Sequence, residues 1–192
     1  YYFSKNSEFN FNLLKNIKQF PHEKFFNQKI NNIQSAIDNW DKAQTKINSI
    51  NKFIFLKTHS ALVKINNTPF TSKKHTAGGI YIVRDPRNVI TSMSNHYQLD
   101  FDETLKFMTD EKKFLIDNNK YNNFANFTFL NSWSNHYKSW MENKQFDTLF
   151  IKYEDLEKNT KDTFFLILKF INNTKGINDK IDIDRMCKII SS

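Results

Sequence analysis

The chain reads as an α/β fold built on a parallel sheet, and three observations predict it. Short β-branched and aromatic runs at 52–57, 79–84 and 148–153 are separated by stretches of helical period. The first run, Lys52-Phe53-Ile54-Phe55-Leu56-Lys57, does not alternate, as expected of a strand covered on both faces. The stretches between the runs are long enough to carry crossover helices, the pattern of a parallel sheet with right-handed connections. Three strands are few for such a sheet, and the chain lacks an initiator methionine. The sheet is therefore expected to be incomplete at its N-terminal strand, with at least one strand upstream of Tyr1.

The elements follow in order. Residues 8–19 place Phe9, Leu13, Leu14 and Ile17 on one side of a helix that Pro21 ends. A second helix fits 28–48, with Ile30, Ile33, Ile37, Trp40, Ala43 and Ile47 spaced by three or four. The strand at 52–57 comes next, then a polar connection over 60–76 interrupted by Pro69. The strand Gly79-Ile80-Tyr81-Ile82-Val83-Arg84 is stopped by Pro86, which suits the first turn of a helix. That helix, 86–97, turns Val89, Ile90 and Met93 inward. Asp100 or Asp102 can cap another helix to 109. Residues 127–143 form a helix carrying Phe129, Leu130, Trp133, Tyr137, Trp140 and Met141. A strand at 148–153 precedes an amphipathic helix at 160–173, with Phe164, Phe165, Ile167, Leu168 and Ile171 inward, and a last helix at 182–190.

The 192 residues suit one domain, 1–192, with a helical part at 1–50 and a sheet core at 51–192. Twenty Phe against three Gly and three Pro, with abundant Asn, Lys and Ile, reflect a compositional bias that blunts local turn and charge signals. The net charge of +8 fits an anionic ligand, nucleic acid or a lysine-rich solvated surface. No compact Lys/Arg block stands out, so no nucleic-acid partner is expected. The single cysteine, Cys187, excludes an intrachain disulfide and suits a reducing, cytoplasmic setting and a small core role. No run of about 18 apolar residues is present to cross a membrane. His22, His75 and His96 have no metal-ligand spacing, and one cysteine gives no zinc set.

In open α/β sheets ligands bind beyond the carboxyl ends of the strands. Here the first strand ends at Lys57-Thr58-His59, the second at Arg84 with Ser92 on the next helix, and the third at Tyr153-Glu154-Asp155. A cation with an imidazole, an arginine fork with a hydroxyl, and an aromatic ring thus converge on one face. Only three arginines occur, Arg84, Arg87 and Arg185, and two of them sit in one turn. A bidentate, always-charged fork is suited to a phosphate in a way that lysine is not. The set suits an anionic, base-containing ligand beside a proton-accepting histidine. Other readings of the same residues are a surface pair of Arg84 with Asp85 or Glu154, a back-bonding Ser92, and a merely strand-end Tyr153. Arg87 reads as a supporting charge. Trp133, His136 and Trp140 lie at helical spacing, which makes core packing their default role.

Lys57-Thr58-His59, the Arg84 to Ser92 stretch, Trp133-Ser134-Asn135-His136 with Trp140, and Leu149-Phe150-Ile151-Lys152-Tyr153-Glu154-Asp155-Leu156 together resemble the cytosolic-type sulfotransferases. The resemblance runs from about residue 50 to the C-terminus. It implies a three-layer, P-loop-NTPase-like sheet flanked by helices. It implies transfer of a sulfuryl group from 3′-phosphoadenosine 5′-phosphosulfate (PAPS, leaving adenosine 3′,5′-bisphosphate, PAP) to a hydroxyl or amine. Arg84 and Ser92 would bind the 3′-phosphate, Tyr153 would lie near the adenine, His59 would be the general base, and Lys57 would stand beside the transferring group. Acceptors of that family are small-molecule, lipid or carbohydrate in kind.

The chain also departs from the family. Its only glycines are Gly78, Gly79 and Gly176, so nothing matches the family's Pro-Lys-Ser-Gly-Thr-Thr-Trp-like loop around the 5′-phosphosulfate. Asn88 stands where the family often has aspartate. The chain stops at Ser191-Ser192, about where a further cofactor-binding stretch would begin. Two other classes fit the same residues less completely. A kinase-like nucleotide enzyme would need a Walker-type glycine loop upstream. A non-catalytic basic module would show salt-steep affinity and no donor binding.

Overall fold

The computed structural model describes residues 17–50, 52–116 and 124–191. In chain order the elements are β1 (Lys18–Gln19), α1 (Ile33–Asp38), α2 (Trp40–Asn48), β2 (Leu56–Lys57), β3 (Lys64–Ile65), β4 (Thr68–Pro69), β5 (Gly78–Val83), α3 (Pro86–Tyr97) and α4 (Phe101–Thr109). There follow β6 (Phe114–Leu115), β7 (Thr128–Phe129), α5 (Trp133–Met141), β8 (Asp147–Lys152), α6 (Tyr153–Lys158), α7 (Thr160–Thr174) and α8 (Ile183–Ser191). The α/β class holds. β5 and β8 pair in parallel, from Gly78 opposite Asp147 to Val83 opposite Lys152. β1 and β2 form a second parallel pair, and among the described residues the two pairs share no ladder.

Several elements differ from the sequence expectation. Most of the helix expected at 8–19 lies outside the described residues, and its last residues form β1 instead. Phe20, next to β1, donates its backbone N–H to the Lys57 carbonyl at 2.9 Å and buries its ring, so pairing with β2 wins over local helical period. The helix expected over 28–48 starts at Ile33, behind an Asn32 cap, and is broken at Asn39. The Asn39 side chain donates to the Ser35 carbonyl at 2.8 Å, an asparagine competing with the helix backbone for its own hydrogen bonds. The run 52–57 is not a fully buried strand. Only Leu56–Lys57 pairs, and Phe53 and Leu56 are 43% and 37% exposed. Within 60–76, β3 and β4 make a hairpin whose turn residues Asn66 and Asn67 have φ of 47° and 66°, the left-handed pair that a tight turn favours. Residues 128–129 pair with 114–115, so α5 begins only at Trp133, behind a Ser132 cap. On α7, Leu168 and Ile171 are buried as expected, while Phe164 and Phe165 face outward.

The main hydrophobic core joins the N-terminal helices to the loops beyond them. Trp40, fully buried, meets Phe70 edge-on at 5.2 Å between ring centroids and stacks on Phe127 at 6.2 Å. This core anchors the chain on either side of Lys57-Thr58-His59. A smaller aromatic group around Tyr81, Tyr137, Trp140 and Phe150 joins α5 to β5 and β8.

Two glycines let helices approach β5 from both faces. A Cβ at Gly78 would lie 3.1 Å from the Phe170 ring of α7, and one at Gly79 would lie 3.2 Å from the Trp140 ring of α5. Alternate strand residues point to opposite faces, so α7 and α5 cover the two sides. Gly79→Val therefore forces Trp140 aside. It is expected to destabilise the protein by about 1–3 kcal/mol, read as a lower urea midpoint at unchanged slope.

Candidate functional site

β5 and β8 deliver the second and third groups of the sequence motif to one place. Val83 is opposite Lys152 in the ladder, so Arg84 and Tyr153 leave the two strand ends side by side. The Arg84 guanidinium carbon lies 4.5 Å from the centre of the Tyr153 ring, a cation–π contact. Arg84 Nε is buried and has no hydrogen-bond partner. Buried donors are almost always satisfied, so this unpaired guanidinium N–H makes Arg84 a candidate for contact with an acceptor group.

The neighbouring charges explain why Arg84 stays unpaired. Asp85 gives its carboxylate to Arg87, by ion pair and hydrogen bonds, and accepts from the Arg87 backbone N–H at 2.9 Å as the cap of α3. The Arg87 side-chain bond, then its backbone bond, hold the Asp85 carboxyl at about 2. Glu154 faces the Asp85 backbone N–H at 3.5 Å. Arg87 is thus a supporting charge, and the surface pair of Arg84 with Asp85 or Glu154 is not made. Ser92 sits one face along α3, exposed to solvent. The structure gives it no contact with Arg84.

The first group stands elsewhere. Lys57 at the end of β2, with Thr58 and His59 beyond it, lines a groove of about 940 Å³ that β5 residues Gly79 to Ile82 also line. Arg84, Ser92 and Tyr153 do not line it. The Thr58 hydroxyl accepts from the Ser60 N–H at 3.1 Å and turns the chain sharply after the strand. The His59 ring opens on the groove yet loses part of its hydration to the groove walls. This desolvation, and then the charge of Lys57, hold its pKa below the usual imidazole value. His59 is therefore neutral at pH 7, the form that accepts a proton.

Helix α5 holds this segment in place, a role the sequence reading did not see. Its residues 136, 139 and 140 share one helical face. His136 Nε2 lies 3.1 Å from the His59 carbonyl, Trp140 Nε1 donates to the Ser60 carbonyl at 3.1 Å, and the Ser139 hydroxyl accepts from the Leu62 N–H at 3.0 Å. His136 Nδ1 faces the Tyr81 hydroxyl at 2.9 Å. Trp140 is buried as core packing required, but it and His136 also grip the backbone of 59–60. Period alone could not separate the two roles. The one available signal was polar His136 and Ser139 on the same face as Trp133 and Trp140.

Elsewhere on the groove, His75 pairs with Asp41 at 2.6 Å and Lys74 with Asp41 at 3.0 Å. Among the described residues no group of three or more His, Cys, Asp or Glu could hold a metal ion. No described helix is long and apolar enough to cross a membrane.

The fold and site define an α/β chain with an arginine–tyrosine contact at two parallel strand ends and a histidine on a neighbouring groove. The family model described as Sulfotransferase domain matches residues 6–189, and the chain belongs to that family. No curated protein matches the chain.

Proposed function

We propose that this chain transfers a sulfuryl group from 3′-phosphoadenosine 5′-phosphosulfate to a hydroxyl or amine of a small-molecule, lipid or carbohydrate acceptor. The observation that carries the reading is Arg84, stacked on Tyr153 with a buried and unpaired Nε. A fork with unspent donors beside an aromatic face fits a 3′-phosphate next to an adenine. The fork would hold the phosphate, Tyr153 would flank the base, and the Ser92 hydroxyl would reach the same phosphate. The donor supplies the sulfuryl group when bound. His59 takes the acceptor proton at its neutral ring, and the Lys57 ammonium lies beside the transferring group to offset developing negative charge. By analogy with phosphoryl transfer, the rest of the protein's work is positioning.

We read residues 1–192 as one sulfotransferase-like domain, since the family match is continuous and the core joins both parts. The helices on both faces of β5 support a three-layer, P-loop-like sheet.

The test is the contribution of the 3′-phosphate. Calorimetric titration should give adenosine 3′,5′-bisphosphate at least about tenfold tighter binding than adenosine 5′-monophosphate, the equivalent of about 1.4 kcal/mol. Equal affinities, or binding of neither at physiological salt, overturn the proposal.

A further inference from the structure

The carbonyl of His59 is held by a side chain rather than by secondary structure. His59 lies beyond the two-residue strand β2, where backbone pairing has ended. A carbonyl can only accept, so His136 Nε2 must carry the proton in the 3.1 Å contact. Nδ1 is then the lone-pair nitrogen, and the Tyr81 hydroxyl at 2.9 Å donates to it. Tyr81 is suited to a fixed donor role. Burial first, and the neighbouring Tyr137 second, push its pKa up to about 12. Burial likewise keeps His136 neutral, its pKa below the usual imidazole value. The result is a directional chain from Tyr81 O–H to His136 Nδ1, and from His136 Nε2–H to the His59 carbonyl. The hydroxyl at its start is on β5, the strand that ends at Arg84.

We propose that His136 is a positioning residue for the transfer reaction. Locked in its Nε2–H tautomer by Tyr81, it sets the backbone and hence the ring direction of His59 and ties the base to the strand that carries Arg84. The inference rests on His59 being the base. It concerns a residue that lines the groove beside His59 and acts through the His59 backbone rather than on the transferring group. A ring displaced by about 1 Å from its working position can cost about 10²-fold in rate. The two flanking bonds from Trp140 and Ser139 keep the segment folded when the third is cut, so the loss is one of aim rather than of fold.

The experiment uses the full chain, with side-chain nitrogen NMR and transfer to 2-naphthol as the acceptor probe. His136 is expected to show the Nε2–H pattern, and Tyr81→Phe to lose it. His136→Ala should shift the His59 ring resonances and lower kcat about 10²-fold, with KM for the donor and bisphosphate binding unchanged. His136→Gln, which keeps a donor toward the His59 carbonyl, should restore most of kcat. In the His59→Ala background, His136→Ala should add no further loss. His59 resonances unmoved by His136→Ala, a protonated Nδ1 in the wild type, or a loss that adds to that of His59→Ala each overturn the proposal. The assignment of His59 fails separately. In that case His59→Ala keeps full transfer, whatever the NMR coupling between the two rings.

Discussion

His59→Ala is expected to lower sulfuryl transfer by about 10²–10⁴-fold, the usual contribution of a general base, and to leave adenosine 3′,5′-bisphosphate binding unchanged. The separation of the two effects follows from the geometry. His59 lines the groove, whereas the Arg84–Tyr153 pair lies at the ends of β5 and β8 and outside it. The ring is only partly covered by the groove walls, and neither of its nitrogens has a hydrogen-bond partner in the described structure, so truncation should move stability by no more than about 0.5 kcal/mol. Loss of nucleotide binding in step with turnover overturns the assignment. A pH profile supplies a second readout. Partial burial and Lys57 hold the His59 pKa below the ordinary imidazole value of 6.5, so the neutral, proton-accepting form persists to lower pH. The acid limb of kcat/KM should therefore fall below pH 6.5, with the rate lost only as pH drops through the lowered value. Lys57→Gln removes the second cause and should move that limb upward, whatever it does to the maximum rate. A limb above 6.5 in the wild type contradicts the neutral-base reading.

The parts of the fold that were legible were those marked by local punctuation. Asp85-Pro86 ends β5 and starts α3, and the helix spans 86–97 as its sequence implies, because a capping carboxylate and a proline at the first turn act within a few residues. Asp100 is the cap of α4, in a full capping box with Glu103. The parts that were not legible depend on distant partners. The apolar run at 52–57 reads the same whether a sheet covers it or a groove exposes it. The Asn66-Asn67 turn was hidden by the abundance of asparagine. Phe129 and Leu130 fit the helical period of α5, but pairing with Phe114–Leu115 and the left-handed Asn131 (φ 63°) hold them outside it. The same division runs through the candidate site. Arg84 and Tyr153 were findable because each ends a strand, and adjacent parallel strands bring their ends together. The grip of His136 and Trp140 on residues 59 and 60 was not, since a helix face that clamps a backbone has the same spacing as one that packs a core.

Arg84→Lys is expected to weaken adenosine 3′,5′-bisphosphate binding about 10–100-fold, although the charge is conserved. A hydrogen bond to a charged group contributes about 1.5–3 kcal/mol, and each 1.4 kcal/mol is tenfold in affinity. Lysine loses two things at once. Its ammonium is a point charge that cannot present parallel N–H donors to two phosphate oxygens, and it lacks the planar face that lies over Tyr153 at 4.5 Å. It also vacates the buried Nε position, whose donor has no other partner. The control is adenosine 5′-monophosphate. If Arg84 reads the 3′-phosphate, the substitution should scarcely alter binding of the monophosphate, and the preference between the two nucleotides should collapse. If instead Arg84 only stiffens Tyr153 by stacking, both nucleotides should weaken equally, and Tyr153→Leu should reproduce the effect. An unchanged dissociation constant for the bisphosphate removes Arg84 from the site altogether. Raising the salt provides a last discrimination. A contact made by a desolvated fork is screened far less than one made by solvent-exposed lysines, so the wild-type preference for the bisphosphate should survive at ionic strengths that erase a purely surface attraction.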